Sequence, residues 1–166
     1  MSDQVVTHAV LSDCGHYRYR LGRTWGHGER MAWIMLNPST ADADVDDPTI
    51  RRCMGFARRE GYDGIEVINL YAWRATDPKE LAETYPVEGA DNPRHWGDVL
   101  ADHGIGMIVA AWGSSRQKVG GEVLRSRALD QWFTGGWFCL GTTASGAPRH
   151  PLYVKGDTEF VSWSAR

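Results

Sequence analysis

The sequence predicts an α/β fold: three α/β/α layers around a central, mainly parallel, four-stranded sheet. Two observations carry this. Four short, largely apolar runs, Met31–Leu36, Ile65–Leu70, Met107–Trp112 and Trp137–Leu140, have the pattern of strands buried on both faces. They alternate with segments of helical pattern, the order that strand–helix–strand crossovers produce.

The elements follow in order. The first thirty residues read as an N-terminal hairpin or extension. Tyr17-Arg18-Tyr19-Arg20-Leu21 alternates apolar and polar, as an edge strand or hairpin arm does. The first buried strand stops at Asn37-Pro38, because proline cannot donate to a ladder. Asp47 as cap, Pro48 in the first turn and apolar residues at 50, 53, 54 and 57 predict a helix through Arg59. Gly61 ends it. Asp77-Pro78 starts a short helix, and Asn92-Pro93 opens another through Trp96, Val99 and Leu100. The third strand ends in Gly113. A helix from about Ser115 to Leu129 follows, weakened at Gly120-Gly121 by roughly 1 kcal/mol per glycine. After the fourth strand comes Pro148-Arg149-His150-Pro151. The expectation is one domain over residues 1–166, with a core over 31–155.

Composition narrows the function classes. A chain of 166 residues, 42% hydrophobic and 23% charged, fits one globular domain and not a disordered one. No apolar run reaches the length of a membrane span, and the first residues lack a signal peptide's pattern. Three widely spaced cysteines (Cys14, Cys53, Cys139) argue against a disulfide scaffold or zinc knuckle and suit the cytoplasm. A net charge of −3 does not favour nucleic-acid binding by bulk electrostatics, although a local basic face remains compatible. Neither a phosphate loop nor a nucleophile elbow is present. Asp42, Asp44, Asp46 and Asp47 lack the glycine and terminal glutamate of a calcium loop and read as an acidic turn. No cofactor and no metal is expected.

In open α/β sheets, ligands bind beyond the carboxyl ends of the strands. The polar residues there are Asn37, Ser39 and Thr40 with Pro38, then Asn69, then Gly113, Ser114 and Arg116, then Thr142, Thr143, Arg149 and His150. Polar groups at the mouth of an apolar sheet suit a small-molecule or nucleobase pocket.

Several of these runs resemble a known family. Ile34-Met35-Leu36-Asn37-Pro38-Ser39-Thr40-Ala41-Asp42, Asp47-Pro48-Thr49-Ile50-Arg51-Arg52-Cys53, Asn69-Leu70-Tyr71-Ala72, Arg74-Ala75-Thr76-Asp77-Pro78, Ala111-Trp112-Gly113 and Arg149-His150-Pro151-Leu152-Tyr153 resemble a bacterial and phage family known as domain of unknown function 1643. More distantly, the order of pieces is similar to the uracil-DNA glycosylase superfamily. Leu36-Asn37-Pro38-Ser39 stands where that superfamily has its first motif. Asn69 stands at the end of its second strand, Trp112-Gly113 at the end of its third, and His150-Pro151-Leu152 at its last motif. Asn37 replaces the aspartate of the strongest uracil hydrolases, and Leu152 stands where the superfamily has serine.

The resemblance implies a hydrolase of DNA repair that excises a modified or damaged base, a pyrimidine first of all, by cleaving its N-glycosidic bond. Asn37 would orient a water, with a carboxylate from Asp42, or Asp47 if the loop folds back. His150 would stabilise charge on the departing base. Asn69 would read a pyrimidine edge, with Pro38, Ser39, Thr40, Tyr71, Trp112 and Gly113 forming the pocket. Trp33, Phe56, Tyr71 and Trp73 are candidates for stacking on the base. Ser114, Arg116, Lys118, Arg51 and Arg149 would meet DNA phosphates, with Arg52 and Lys155 as further basic groups. Ordinary readings stand beside these: Asn37 as a turn residue, Asn69 as a strand cap and His150 as a surface histidine. A non-catalytic nucleobase-binding module, or an enzyme acting on a free nucleotide or modified base, are the alternatives.

Overall fold

Seven strands form one mixed sheet in the computed structural model, which describes residues 4–39, 41–77, 79–83, 88–114 and 136–164. In chain order they are β1 (Val6–Leu11), β2 (Arg18–Thr24), β3 (Arg30–Met35), β4 (Gly64–Asn69), β5 (Ile105–Ala110), β6 (Trp137–Cys139) and β7 (Val161–Trp163). Helix α1 (Pro48–Arg59) follows β3; α2 (Glu80–Glu83) and α3 (Asn92–Leu100) follow β4.

The sheet order is β1-β2-β4-β3-β5-β6-β7. The central β4, β3, β5 and β6 pair in parallel and are the four runs expected from sequence. The sheet is therefore larger and more mixed than the expected four-stranded one. The hairpin β1–β2 adds antiparallel to β4, and β7 adds antiparallel to β6. Strands β1 and β7 are partly exposed along their length, so neither shows the doubly buried pattern.

Side-chain alternation along β3 divides the core. Met31, Trp33 and Met35 pack with Ile50, Cys53, Phe56 and Ala57 of α1. Ala32, Ile34 and Leu36 pack with Trp96, Val99 and Leu100 of α3. Among the described residues, α1 thus covers one face, and α3 with Leu81 of α2 the other. The α1 boundaries are those expected: the Asp47 carboxylate accepts from Ile50 N–H at 2.9 Å, and Gly61 follows the last turn at φ +81°. The helix expected from Ser115 lies outside the described residues.

Beyond β4 the N-terminal hairpin is fastened by charge. Glu66 is fully buried, accepts from Arg20 Nη2 at 2.8 Å, and meets His8 Nε2 at 2.9 Å. Among the described residues, no helix is long and apolar enough to cross a membrane.

Candidate functional site

Among the four parallel strands, taken in chain order, the second, first, third and fourth lie side by side. The direction of winding therefore reverses between β3 and β5, and a crevice opens beyond the carboxyl ends at such a point. A cavity of ≈ 730 Å³ lies there, on the α1 side of the sheet. Asn37 and Ser39 after β3, Asn69 of β4, Trp112, Gly113 and Ser114 after β5, and Arg149 and His150 all line it. The three side chains on which the sequence argument rests, Asn37, Asn69 and His150, share this hollow.

Asn69 is 1% exposed, yet among the described residues neither its Oδ1 nor its Nδ2 has a hydrogen-bond partner. Burying an amide without partners costs about 1–3 kcal/mol. The backbone beneath it is held firmly: its carbonyl accepts from Asn92 Nδ2 at 3.0 Å and Trp96 Nε1 at 2.9 Å, both from α3 on the opposite face. The strand-cap reading would give the side chain backbone partners, and it has none. A donor and an acceptor in one plane are left for a ligand.

Asn37 differs. Its Nδ2 donates to the Ala75 carbonyl at 2.8 Å and the Pro38 carbonyl at 3.1 Å. With the amide hydrogens committed, the oxygen is the atom left for the cavity.

His150 is fixed by its own turn. Its Nδ1 accepts from Leu152 N–H at 3.2 Å, which leaves the hydrogen of the neutral ring on Nε2. Burial pushes its pKa down to about 4, against a smaller opposing pull from Asp47. The ring is a neutral donor at neutral pH. Arg52 of α1 secures this turn by donating to the Pro151 carbonyl at 3.1 Å and to the Val154 carbonyl. Gly113 lets the turn come close. It sits at φ +72°, donates to the Pro148 carbonyl at 2.8 Å, and a Cβ there would lie 3.3 Å from His150 Cβ.

The acidic turn divides its labour. Asp42 accepts from Asp44 N–H and Val45 N–H, both at 2.9 Å, and does not line the cavity. Asp46 pairs with buried Arg23 at 2.7 Å. Among the described residues, Asp47, at the start of α1, is the carboxylate that lines the cavity. Asp42 is already engaged in its own turn and cannot fold back.

Other candidates fall elsewhere. Trp33 and Phe56 are core, with ring centroids 6.1 Å apart. Tyr71 is buried on the α3 face, and Trp73 stacks on His16 at 5.1 Å. The aromatics that do line the cavity are Trp112, buried against Trp163, and Tyr153, exposed at the rim. Pro38 does not line it, and Thr40, Arg116 and Lys118 lie outside the described residues. Arg51 donates to the Asp46 carbonyl at 2.6 Å and, like Arg52, does not face the cavity. Among the described residues, no three His, Cys, Asp or Glu side chains converge as metal ligands.

Sequence reasoning missed Arg18. It lines the cavity at 3% exposure, although its alternating strand reads as an edge. Strand β2 is not an edge: it is flanked by β1 and β4.

Residues 18–152, most of the chain, match a family model described as a protein of unknown function, DUF1643. No curated protein and no solved structure matches the chain.

Proposed function

The chain belongs to the DUF1643 family, and we propose that its cavity binds a pyrimidine-like nucleobase and hydrolyses the N-glycosidic bond that carries it. The orphaned amide of Asn69 is the observation that carries this reading. A pyrimidine presents an N–H and a carbonyl side by side, and one planar amide complements both. Trp112, Met35 and Val67 supply apolar wall.

The chemistry needs three further roles. As the C1′–N bond breaks, the base leaves with the electron pair and becomes anionic. The neutral His150 donates Nε2–H to a base carbonyl where that charge develops. On the sugar side, the Asn37 oxygen orients a water. Asp47 takes the water's proton as its oxygen bonds to C1′. A base held in a duplex must first leave the stack. If the base is in DNA, the reaction is the first step of base-excision repair. Ser114 and Arg149 are then groups at the cavity that can meet a phosphate of the strand.

The test incubates the protein with oligonucleotides and free nucleosides carrying varied modified pyrimidines. Alkaline cleavage reads abasic sites, and mass spectrometry reads released base. Release by the native protein that disappears in Asn37→Ala and His150→Ala is expected. Saturable binding with no released base from any substrate would leave a binding module.

A further inference from the structure

Two arginines of β2 are buried, and among the described residues only one has a carboxylate in contact. Arg23, 1% exposed, pairs with Asp46 at 2.7 Å and donates to the Gly22 carbonyl at 2.8 Å and to the Asp42 carbonyl. Arg18, 3% exposed, has no carboxylate within 4.0 Å among the described residues. Its Nη1 donates to the Ala41 carbonyl, and its Nε has no partner. A buried cation with no carboxylate in contact is costly; Asp47 and Asp42 pull on Arg18 from beyond contact, and Arg74 and Arg23 oppose them.

We infer that the cavity takes a small ligand bearing its own anionic group, a terminal phosphate or carboxylate, which binds at Arg18 beside the first turn of α1. Three observations converge. Arg18 lines the cavity with Thr49, the first residue of the twelve-residue α1 to carry an N–H, beside an Ile50 N–H that Asp47 already caps. The unpartnered amide of Asn69 faces the same space. Charge at the cavity also runs against the chain as a whole. Arg18 and Arg149 line it against Asp47, and Arg74 lines an adjoining hollow that shares Ser39, Ala75 and Thr76, in a protein of net charge −3. Burial pushes the Arg18 pKa down to about 10, so the guanidinium is still charged at neutral pH.

The recess decides the source of the anion. Arg18 is 3% exposed and lines the cavity, so a charge that meets it there enters with the ligand. A phosphodiester inside a strand cannot follow it there without threading both flanks. A cavity of ≈ 730 Å³ suits a nucleoside monophosphate. This rests on the base reading at Asn69 and narrows it to free anionic nucleotides.

The test uses inorganic phosphate, uridine, uridine 5′-monophosphate, the uronic acid of uridine and an oligonucleotide with one uracil. Each is titrated calorimetrically into the native chain, Arg18→Met and Asn69→Leu. In the native chain the monophosphate or the uronic acid binds about tenfold or more tighter than uridine, and inorganic phosphate competes. Whichever of the two is tighter identifies the anion. Arg18→Met erases that advantage. Without ligand it melts no lower than the native chain, since it removes a buried unpaired charge. Equal binding of uridine and both anionic forms overturns the proposal. So does phosphate binding that Arg18→Met leaves intact, a large fall in its melting temperature, or an oligonucleotide that outbinds the monophosphate. Saturable, Arg18-dependent phosphate binding that uridine's ring never improves and Asn69→Leu never alters sustains the anion subsite and rejects the base reading instead.

Discussion

Trp96 Nε1 donates to the main-chain carbonyl of Asn69 at 2.9 Å, across the sheet from the cavity that the Asn69 side chain lines. Helix α3 therefore sets the pose of an amide it never shares a face with. Trp96→Phe leaves that carbonyl to Asn92 alone. We expect a loss of about 1–3 kcal/mol in unfolding free energy by urea denaturation. Ligand affinity should fall as well, since the amide loses its fixed plane.

Asn69 itself should show function opposed to stability. Asn69→Leu removes an unpaired buried amide and adds apolar surface, so unfolding free energy rises by about 1 kcal/mol. Nucleobase binding disappears in the same variant. A destabilised Asn69→Leu would mean that the amide is satisfied in solution.

Gly113→Ala places a side chain at φ +72° with its Cβ 3.3 Å from that of His150. The backbone cost is about 1–2 kcal/mol. The His150 turn must also retreat, so catalysis falls further than stability explains. Paired thermal melts and turnover measurements check both.

The pH dependence follows from the half-buried imidazole of His150. The His150 pKa of about 4 lies below the ordinary histidine value of 6.5. Between these values the unfolded chain binds a proton that the folded chain refuses. Its contribution to stability is thus complete above pH 6.5 and declines as pH falls toward 4. Melting curves across this window should be steeper for the native chain than for His150→Gln. Turnover should not titrate with this ring between pH 6 and 8.

Arg52 is a positioning residue. Its guanidinium reaches two carbonyls of the 151–154 turn, so Arg52→Ala costs about 2 kcal/mol and lowers turnover. Arg52→Lys, with one ammonium in place of a fork, should fall between. Chemical denaturation and steady-state rates separate the two effects.

The strands that build the cavity floor were legible because each is apolar on both faces, and α1 was legible from Asp47-Pro48 at one end and Gly61 at the other. Asn37, Asn69 and His150 were legible as polar groups at strand ends, a position the fold class makes meaningful. The rest depends on tertiary contacts that no local pattern encodes. Arg18 sits in an alternating strand, and it is covered through tertiary contacts: Leu21–Thr24 pair with β4, and the Arg18 N–H donates to the Ala72 carbonyl at 2.9 Å. Asp42 and Asp47 look alike in sequence. Which of them meets the cavity was decided when Asp42 closed a turn on Asp44 and Val45. The aromatics at the cavity are Trp112, which also belongs to the α3-side core, and Tyr153, while Trp33, Phe56 and Tyr71 lie wholly within the two cores.

The β1–β2 hairpin has a practical bearing on how this protein can be shortened. The family match begins at Arg18, which makes cutting there tempting. Removing β1 would strip the outer hydrogen-bonding row from β2 and take His8 from the Glu66 charge. A bare seven-residue strand is a template for another copy, so the trimmed chain should self-associate and precipitate as its concentration rises.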